Sequence, residues 1–362
     1  MNKEFCLFKV DKKRVIWEVT KYCNYQCKHC CALADLVDTK DELDTKKCKE
    51  VLKQLKDFGV EEIYFSGGEP FSRNDILEIL KTARNYNIVC NISTNGSFLT
   101  EKLVKELSKL DLNKVHISLD SNIEDDFNEF RGGKYFEPTI NAIKLLKKYN
   151  IYVRVGTVIW KKNYKTLEDM IKYLNSLGVD EVVFNWLVQV GRLKENKDVC
   201  VDLKYFDETI KKINEYREKY KESIKISMHR NEHFENSNTI CPAGETFFYI
   251  NPKGYVSPCS WIKKMDNRFT SKKSLKDVSF EEIINSSEIQ EFNKLKYERI
   301  KKYETGCLAI CLERNGTYFS KDPLLNTVKE KIGIKGRSLN PCFHKFYIIL
   351  IALMKVLFNQ GF

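Results

Sequence analysis

Cys23, Cys27 and Cys30 lie in the stretch KYCNYQCKHCC with the spacing C-x3-C-x2-C. Thiolates that close along a chain can wrap one side of a cube-shaped iron–sulfur cluster. In a [4Fe–4S] cube three ligands leave one iron open, and a catalytic metal needs such an open position. A cluster used only for electron transfer ordinarily takes a fourth cysteine. The alternative is a zinc or other metal knuckle, but structural zinc asks for four ligands. Cys31 follows Cys30 directly, and adjacent side chains seldom reach one cluster together, so it reads as structural. Cys6, Cys48, Cys90 and Cys200 stand alone and read as small hydrophobes.

A second set of cysteines lies far downstream. Cys241 and Cys259 bracket CPAGETFFYINPKGYVSPC, a C-x12-G-x4-C pattern with Gly254 as its glycine. Cys307 and Cys311 follow as C-x3-C, and then Cys342. The chain holds 13 cysteines, and MNKEFCLFKVDKKR at its start lacks the apolar region of a signal peptide. A cytoplasmic, reducing location is the expectation, in which clustered cysteines bind metal rather than form disulfides.

Something must hold these residues in place, and the first half of the chain shows what. Strands are predicted at Arg14–Thr20, Glu62–Ser66, Ile88–Ser93, Lys114–Leu119, Ile151–Val158 and Asp180–Leu187, all rich in β-branched and aromatic residues. Helical patterns fall between them, at Leu43–Phe58, Asp75–Tyr86, Glu101–Leu110, Tyr135–Tyr149 and Tyr164–Leu177. Gly59, Asn150 and Gly178 sit where three of these helices should stop. Repeated strand–helix units imply a parallel sheet with helices outside. The expected α/β fold is a partial (βα)6 barrel, with its chemistry at the C-terminal ends of the strands.

The residues after each strand fit that rule. The three-cysteine loop follows strand one. Gly67, Gly68, Glu69 and Pro70 follow strand two, and paired glycines let a backbone come close to a ligand. Ser93-Thr94-Asn95-Gly96 closes strand three, and Ser118-Leu119-Asp120 closes strand four. Arg131 lies just beyond, in DDFNEFRGG, and its planar fork suits a carboxylate. Each segment alone is a common turn or cap signal; their order along the barrel gives them weight.

Together these segments resemble the radical S-adenosylmethionine (SAM) superfamily over roughly residues 14–190. The resemblance implies that the open iron chelates SAM and that reductive cleavage yields a 5′-deoxyadenosyl radical, which abstracts hydrogen from a substrate. It places His29 beside the adenine and the Gly67–Pro70 segment at the SAM amino group. It places Ser93 and Asn95 near methionine and ribose, includes Ser118 and Asp120 in the pocket, and sets Arg131 at the SAM carboxylate. The second cysteine set resembles the SPASM and shorter twitch domains, which bind auxiliary [4Fe–4S] clusters. Two cysteines of the full pattern fall here on Glu298 and Lys301. The expectation is therefore one auxiliary cluster, on Cys241, Cys259 and Cys311, with Cys307 a candidate fourth ligand and Cys342 a spare. The expected layout is an extension over 1–13, the barrel over 14–190, a helical linker over 191–239, a SPASM/twitch-like domain over 240–345 and an apolar tail over 346–362.

Enzymes of this kind mostly modify peptides, so a ribosomally made peptide is the leading substrate, with a tetrapyrrole or other small-molecule cofactor as the alternative. A non-catalytic iron–sulfur electron carrier or scaffold is the alternative from another class. A reductant such as a flavodoxin or ferredoxin is implied. Only a short stretch precedes the first strand, so a leader peptide would be bound by a separate protein or by this chain's own basic surface. The net charge is +11, from 61 Lys and Arg against 50 Asp and Glu. The charges interleave along the chain and read as a solvated surface, and no RNA-binding module is visible to favour nucleic acid. The tail FYIILIALMKVLF (Phe346–Phe358) is too short to span a bilayer, and as a helix it would bury in protein or lie on a membrane surface.

Overall fold

The computed structural model describes residues 12–228, 241–303 and 306–323. The apolar tail, Cys342 and the second part of the expected linker lie outside the described residues.

The six predicted strands form as β1 (Arg14–Thr20), β2 (Glu62–Gly67), β3 (Val89–Thr94), β4 (Lys114–Ser118), β5 (Val153–Ile159) and β6 (Glu181–Trp186). They pair in chain order, every pair parallel. The connecting helices are α1 (Thr45–Asp57), α2 (Ile76–Asn85), α3 (Glu101–Leu107), α4 (Glu124–Arg131), α5 (Phe136–Lys148) and α6 (Leu167–Ser176). Asp44 and Thr100 cap α1 and α3 with side-chain oxygens, satisfying first-turn N–H groups. Gly59, Asn150 and Gly178, the expected stops, all take positive φ just past helix ends.

The pleat divides the side chains. Val15, Trp17, Ile63, Phe65, Ile92, Val115, Ile117, Val153 and Val155 are fully buried. Their neighbours Tyr64, Ser66, Ser93, His116 and Ser118 are only half-buried and point to the opposite face. That face is the inner wall of an open barrel, and it is polar.

The sheet does not end at six strands. A helix, α7 (Phe206–Lys219), leads to β7 (Lys225–Met228), which extends the parallel set beyond β6. On the other edge, β8 (Phe247–Ile250) pairs parallel with β1, Ile16 opposite Tyr249, and β9 (Val256–Ser257) folds back antiparallel. The full order is β7-β6-β5-β4-β3-β2-β1-β8-β9. Gly254, at φ 84°, makes the β8–β9 turn. The segment carrying the second cysteine set is thus sewn to the strand that launches the first. Beyond β9 come α8 (Ser260–Met265), α9 (Phe280–Ile284), α10 (Ser287–Tyr303) and α11 (Leu308–Asn315). Among the described residues no helix is long and apolar enough to cross a membrane.

Candidate active site

The loop after β1 folds over the C-terminal end of the sheet and is fastened from several sides. Cys23 N–H donates to Asp35 O (2.9 Å), Lys28 N–H to Phe130 O (3.0 Å), and Arg192 N–H to Cys30 O (3.1 Å). The Tyr135 hydroxyl donates to Asn24 O at 2.9 Å. Tyr25 stacks on Tyr135 with ring centroids 3.6 Å apart. These contacts gather Cys23, Cys27 and Cys30 around Tyr25, Ala34 and Tyr135. Among the described residues no three His, Cys, Asp or Glu side chains converge as the ligands of one metal ion would.

The paired glycines after β2 serve this loop. A Cβ on Gly67 would stand 2.3 Å from Thr20 O, and one on Gly68 would stand 2.0 Å from Tyr22 O. Gly68 N–H donates to Thr20 O (2.8 Å) and Glu69 N–H to Tyr22 O (2.7 Å). The close approach expected toward a ligand is an approach to the cysteine loop's own backbone. Gly68→Ala therefore pushes the loop off the sheet end. We expect a loss of about 1–3 kcal/mol in urea unfolding and lowered iron content after anaerobic reconstitution, against unchanged iron content and a smaller stability loss for Gly178→Asn, where a Cβ meets nothing and only the positive φ is strained.

Glu69 is fully buried, and three donors converge on its carboxylate. Oε1 accepts from Phe71 N–H (3.0 Å) and the Thr94 hydroxyl (2.7 Å), and Oε2 accepts from Asn95 N–H (2.7 Å). Burial pushes the carboxyl up to about 7, against the pull of those bonds. Glu69 thus ties the β2 loop to the β3 loop. Asn95 in turn donates to Asn24 Oδ1 (3.0 Å) and faces Cys23 Sγ at 3.9 Å. Pro70 opens a short 3-10 turn, Pro70–Ser72. Ser93 and Ser118 stand half-buried on the inner wall.

Asp120 and Arg131 meet in a buried ion pair, Nη2 to Oδ2 2.6 Å. Asp120 Oδ1 also accepts from Val158 N–H at 2.9 Å. Arg131 Nη1 reaches Cys27 Sγ at 3.6 Å. Burial works against the guanidinium charge, but Asp120 and Cys27 hold its pKa above the ordinary value. His29 lies flat on Phe130 (centroids 4.3 Å), and Phe130 on Trp160 (4.3 Å). Loss of water and the nearby Arg131 push the imidazole down to about 4, so it is neutral.

The residues fit an iron–sulfur cluster and a polar ligand beside it. Burial pushes the Cys23 thiol up to about 12 and raises Cys27 as well, so thiolates here need a metal to neutralise them. His29 Nδ1 and Arg131 Nε are buried with no hydrogen-bond partner, an arrangement that leaves two polar atoms for a ligand.

The second cysteine set lies on the β8 side of the sheet. Cys259 and Cys307 are the residues that precede α8 and α11, and the backbone N–H groups of Ile262 and Trp261 favour the Cys259 thiolate. Cys241 feels the charge of Cys259, and Cys259 that of Cys307. All three pack against Ala243, Ile262, Phe269, Phe292 and Leu308. Burial raises the Cys241 thiol and pushes Cys259 up to about 11.

Cys311, expected beside Cys241 and Cys259, is fully buried, with its Sγ 3.2 Å from Arg299 Nη2 and 3.5 Å from Ser320 O. Cys307, the candidate fourth ligand, lies near Cys259, and its N–H donates to Asp322 Oδ2 at 2.8 Å at the start of α11. Glu298 and Lys301, where the fuller pattern has cysteines, are exposed on α10.

One link between the two sets was not legible in the sequence. Lys264 on α8 is largely buried, its Nζ 3.2 Å from Glu18 Oε1 and 3.5 Å from Cys31 Sγ. The Tyr249 hydroxyl donates to Glu18 Oε2 at 2.6 Å. Cys31 is thus held by Lys264 between the two cysteine sets, and only the pairing of β8 with β1 brings these groups together.

Comparison with known proteins agrees with this geometry. The family model of the Radical SAM superfamily matches residues 17–177, and that of the SPASM iron–sulfur cluster-binding domain matches 241–311. The AdoMet-dependent heme synthase of Methanosarcina barkeri is 25% identical over 340 residues, 85% of this chain and 95% of the relative. The PqqA peptide cyclase of Bradyrhizobium diazoefficiens is 28% identical over 251 residues, 68% of this chain and 66% of the relative. Among solved structures, Streptococcus suis SuiB bound to its precursor peptide SuiA superposes with a TM-score of 0.71 at 16% identity, covering 87% of this chain and 76% of SuiB.

Proposed function

Because the chain belongs to the Radical SAM superfamily and carries a SPASM domain, it is an enzyme of that superfamily, and we propose that it cleaves SAM reductively to modify a ribosomally made peptide. The domain pair implies a [4Fe–4S] cluster, SAM and auxiliary iron–sulfur chemistry. The observation that carries the reading is the cysteine loop, pinned over the sheet's C-terminal end beside two buried, unpartnered polar atoms.

On this reading Cys23, Cys27 and Cys30 hold the cluster. When bound, it supplies the electron that breaks the sulfonium bond of SAM and leaves a 5′-deoxyadenosyl radical to take hydrogen from the substrate. Arg131 Nε and His29 Nδ1 are offered to SAM, and the outer face of His29, backed by the stacked Phe130 and Trp160, is a surface against which a purine can lie. Glu69 acts through Thr94 and Asn95 and holds the two loops together. Gly67 and Gly68 keep the cysteine loop seated. The half-buried polar side chains of the inner wall, Ser93 and Ser118 among them, line the space where substrate would lie. Cys241, Cys259 and Cys307 hold one auxiliary cluster. A small electron-transfer protein supplies reducing equivalents.

The peptide reading draws support from the peptide cyclase among the relatives and from the precursor peptide in SuiB. A specific observation favours a second reading, a tetrapyrrole substrate: the heme synthase matches over 95% of its own length, further than the cyclase does. A competition decides between them. The reduced, reconstituted enzyme with SAM is offered a short peptide encoded beside its own gene and, separately, iron-coproporphyrin III. We expect a mass change in the peptide matched by 5′-deoxyadenosine. An unaltered peptide with consumption of the porphyrin would transfer the assignment to the second reading.

A further inference from the structure

α10 carries two cations inward. Lys296 and Arg299 are both fully buried, three residues apart on one face of that helix. A buried cation is costly unless it is matched by nearby negative charge or hydrogen bonds. Both cations have partners that offset this cost. Lys296 Nζ lies 3.0 Å from Glu245, itself partly exposed, and 3.0 Å from Ala243 O, two residues past Cys241. Arg299 donates to Tyr318 O (2.9 Å), Ser320 O (3.1 Å) and Cys311 Sγ (3.2 Å). Asp322 lies close to the same thiol. Both cations also act on Cys241, each favouring its thiolate. A helix that could have met solvent with these residues, as it does with Glu298 and Lys301, turns them instead toward the second cysteine set.

We infer that Lys296 and Arg299 are potential-setting residues of the auxiliary cluster, two fixed positive charges that favour its reduced form. The inference rests on the auxiliary-cluster reading above. A cluster gains a negative charge on reduction, and in a low-dielectric interior a nearby cation stabilises the more negative state. Arg299 also stands within hydrogen-bond distance of the Cys311 thiol, at 3.2 Å.

The test uses the full chain with Cys23, Cys27 and Cys30 replaced by Ala, so that auxiliary iron alone is read. Its midpoint potential is measured by redox titration followed by electron paramagnetic resonance. Lys296→Met should lower the reduced-to-oxidised ratio at a fixed potential about tenfold, ~59 mV for a one-electron couple. Lys296→Arg, which keeps the charge, should stay within about twofold of the parent on the same scale. Lys296→Gln is a second charge-removing variant and should shift the midpoint in the same direction, which keeps the test decisive if Lys296→Met fails to fold. An iron-loaded cluster with an unchanged midpoint in Lys296→Met would overturn the inference alone. Absence of iron from the parent, with the fold intact by circular dichroism, would overturn the auxiliary-cluster reading and the inference with it.

Discussion

Replacing Cys23, Cys27 and Cys30 together with Ala should abolish SAM cleavage while leaving iron and sulfide for one cluster. The first half follows from chemistry: without its thiolates the loop has nothing to hold the cluster, and the rate should fall by at least about 10⁶-fold, to the uncatalysed level. The second half follows from geometry. Cys241, Cys259 and Cys307 share an apolar core of their own, on the β8 side of the sheet. Iron and sulfide analysis beside product analysis reads both halves at once. Iron near zero in a folded triple variant would show the second set to be empty. Twice the expected residual iron would show that a second auxiliary cluster forms despite Glu298 and Lys301.

Asp120→Ala should be the most destabilising single substitution in the site. Asp120 is fully buried and pairs with an almost equally buried Arg131 at 2.6 Å. Removing one partner leaves an uncompensated charge in the interior, a loss of about 3–5 kcal/mol. The Val158 N–H loses its acceptor as well. The double variant Asp120→Ala, Arg131→Met removes both charges and should recover most of that loss, since an apolar pair of similar volume is often neutral. Urea unfolding of the three proteins measures the difference. Equal stability of the single and double variants would show that the pair does not brace the loop. The double variant should bind SAM poorly even so, because Arg131 Nε goes with the side chain.

The barrel was legible because its signals are local. β-branched runs bounded by Gly, Asn and Asp mark β1 to β6, and Gly59, Asn150 and Gly178 mark helix ends where only a left-handed residue closes the turn. The cysteine triplet and the strand-end segments were legible for the same reason, since each is contiguous. What escaped is non-local or disguised. α4 hides in the acidic run DDFNEF, where Phe127 and Phe130 are its buried face. β7 has four residues, too few for a periodicity to register. The pairing of β8 with β1 joins residues more than two hundred positions apart, and with it come the contacts of Lys264 to Glu18 and Cys31.

Gly68 and Glu69 were expected at a ligand; the structure adds contacts within the chain, Gly68 packed on Tyr22 O and Glu69 bonded to the Thr94–Asn95 turn. Sequence spacing places such residues at a strand end but does not say which neighbour fills the space. The same limit applies to Lys296 and Arg299. In EFNKLKYERIKKY they look like the solvated charges of a basic helix, and only burial separates them from Lys294 and Lys301.

The account turns on one reaction, and its product can be measured directly. Full-length protein, reconstituted anaerobically with iron and sulfide, is reduced with dithionite in the presence of SAM, and the mixture is resolved by liquid chromatography and mass spectrometry. The account predicts 5′-deoxyadenosine and methionine in equal amounts, and neither without reductant. SAM recovered intact from protein that carries its full iron would contradict it.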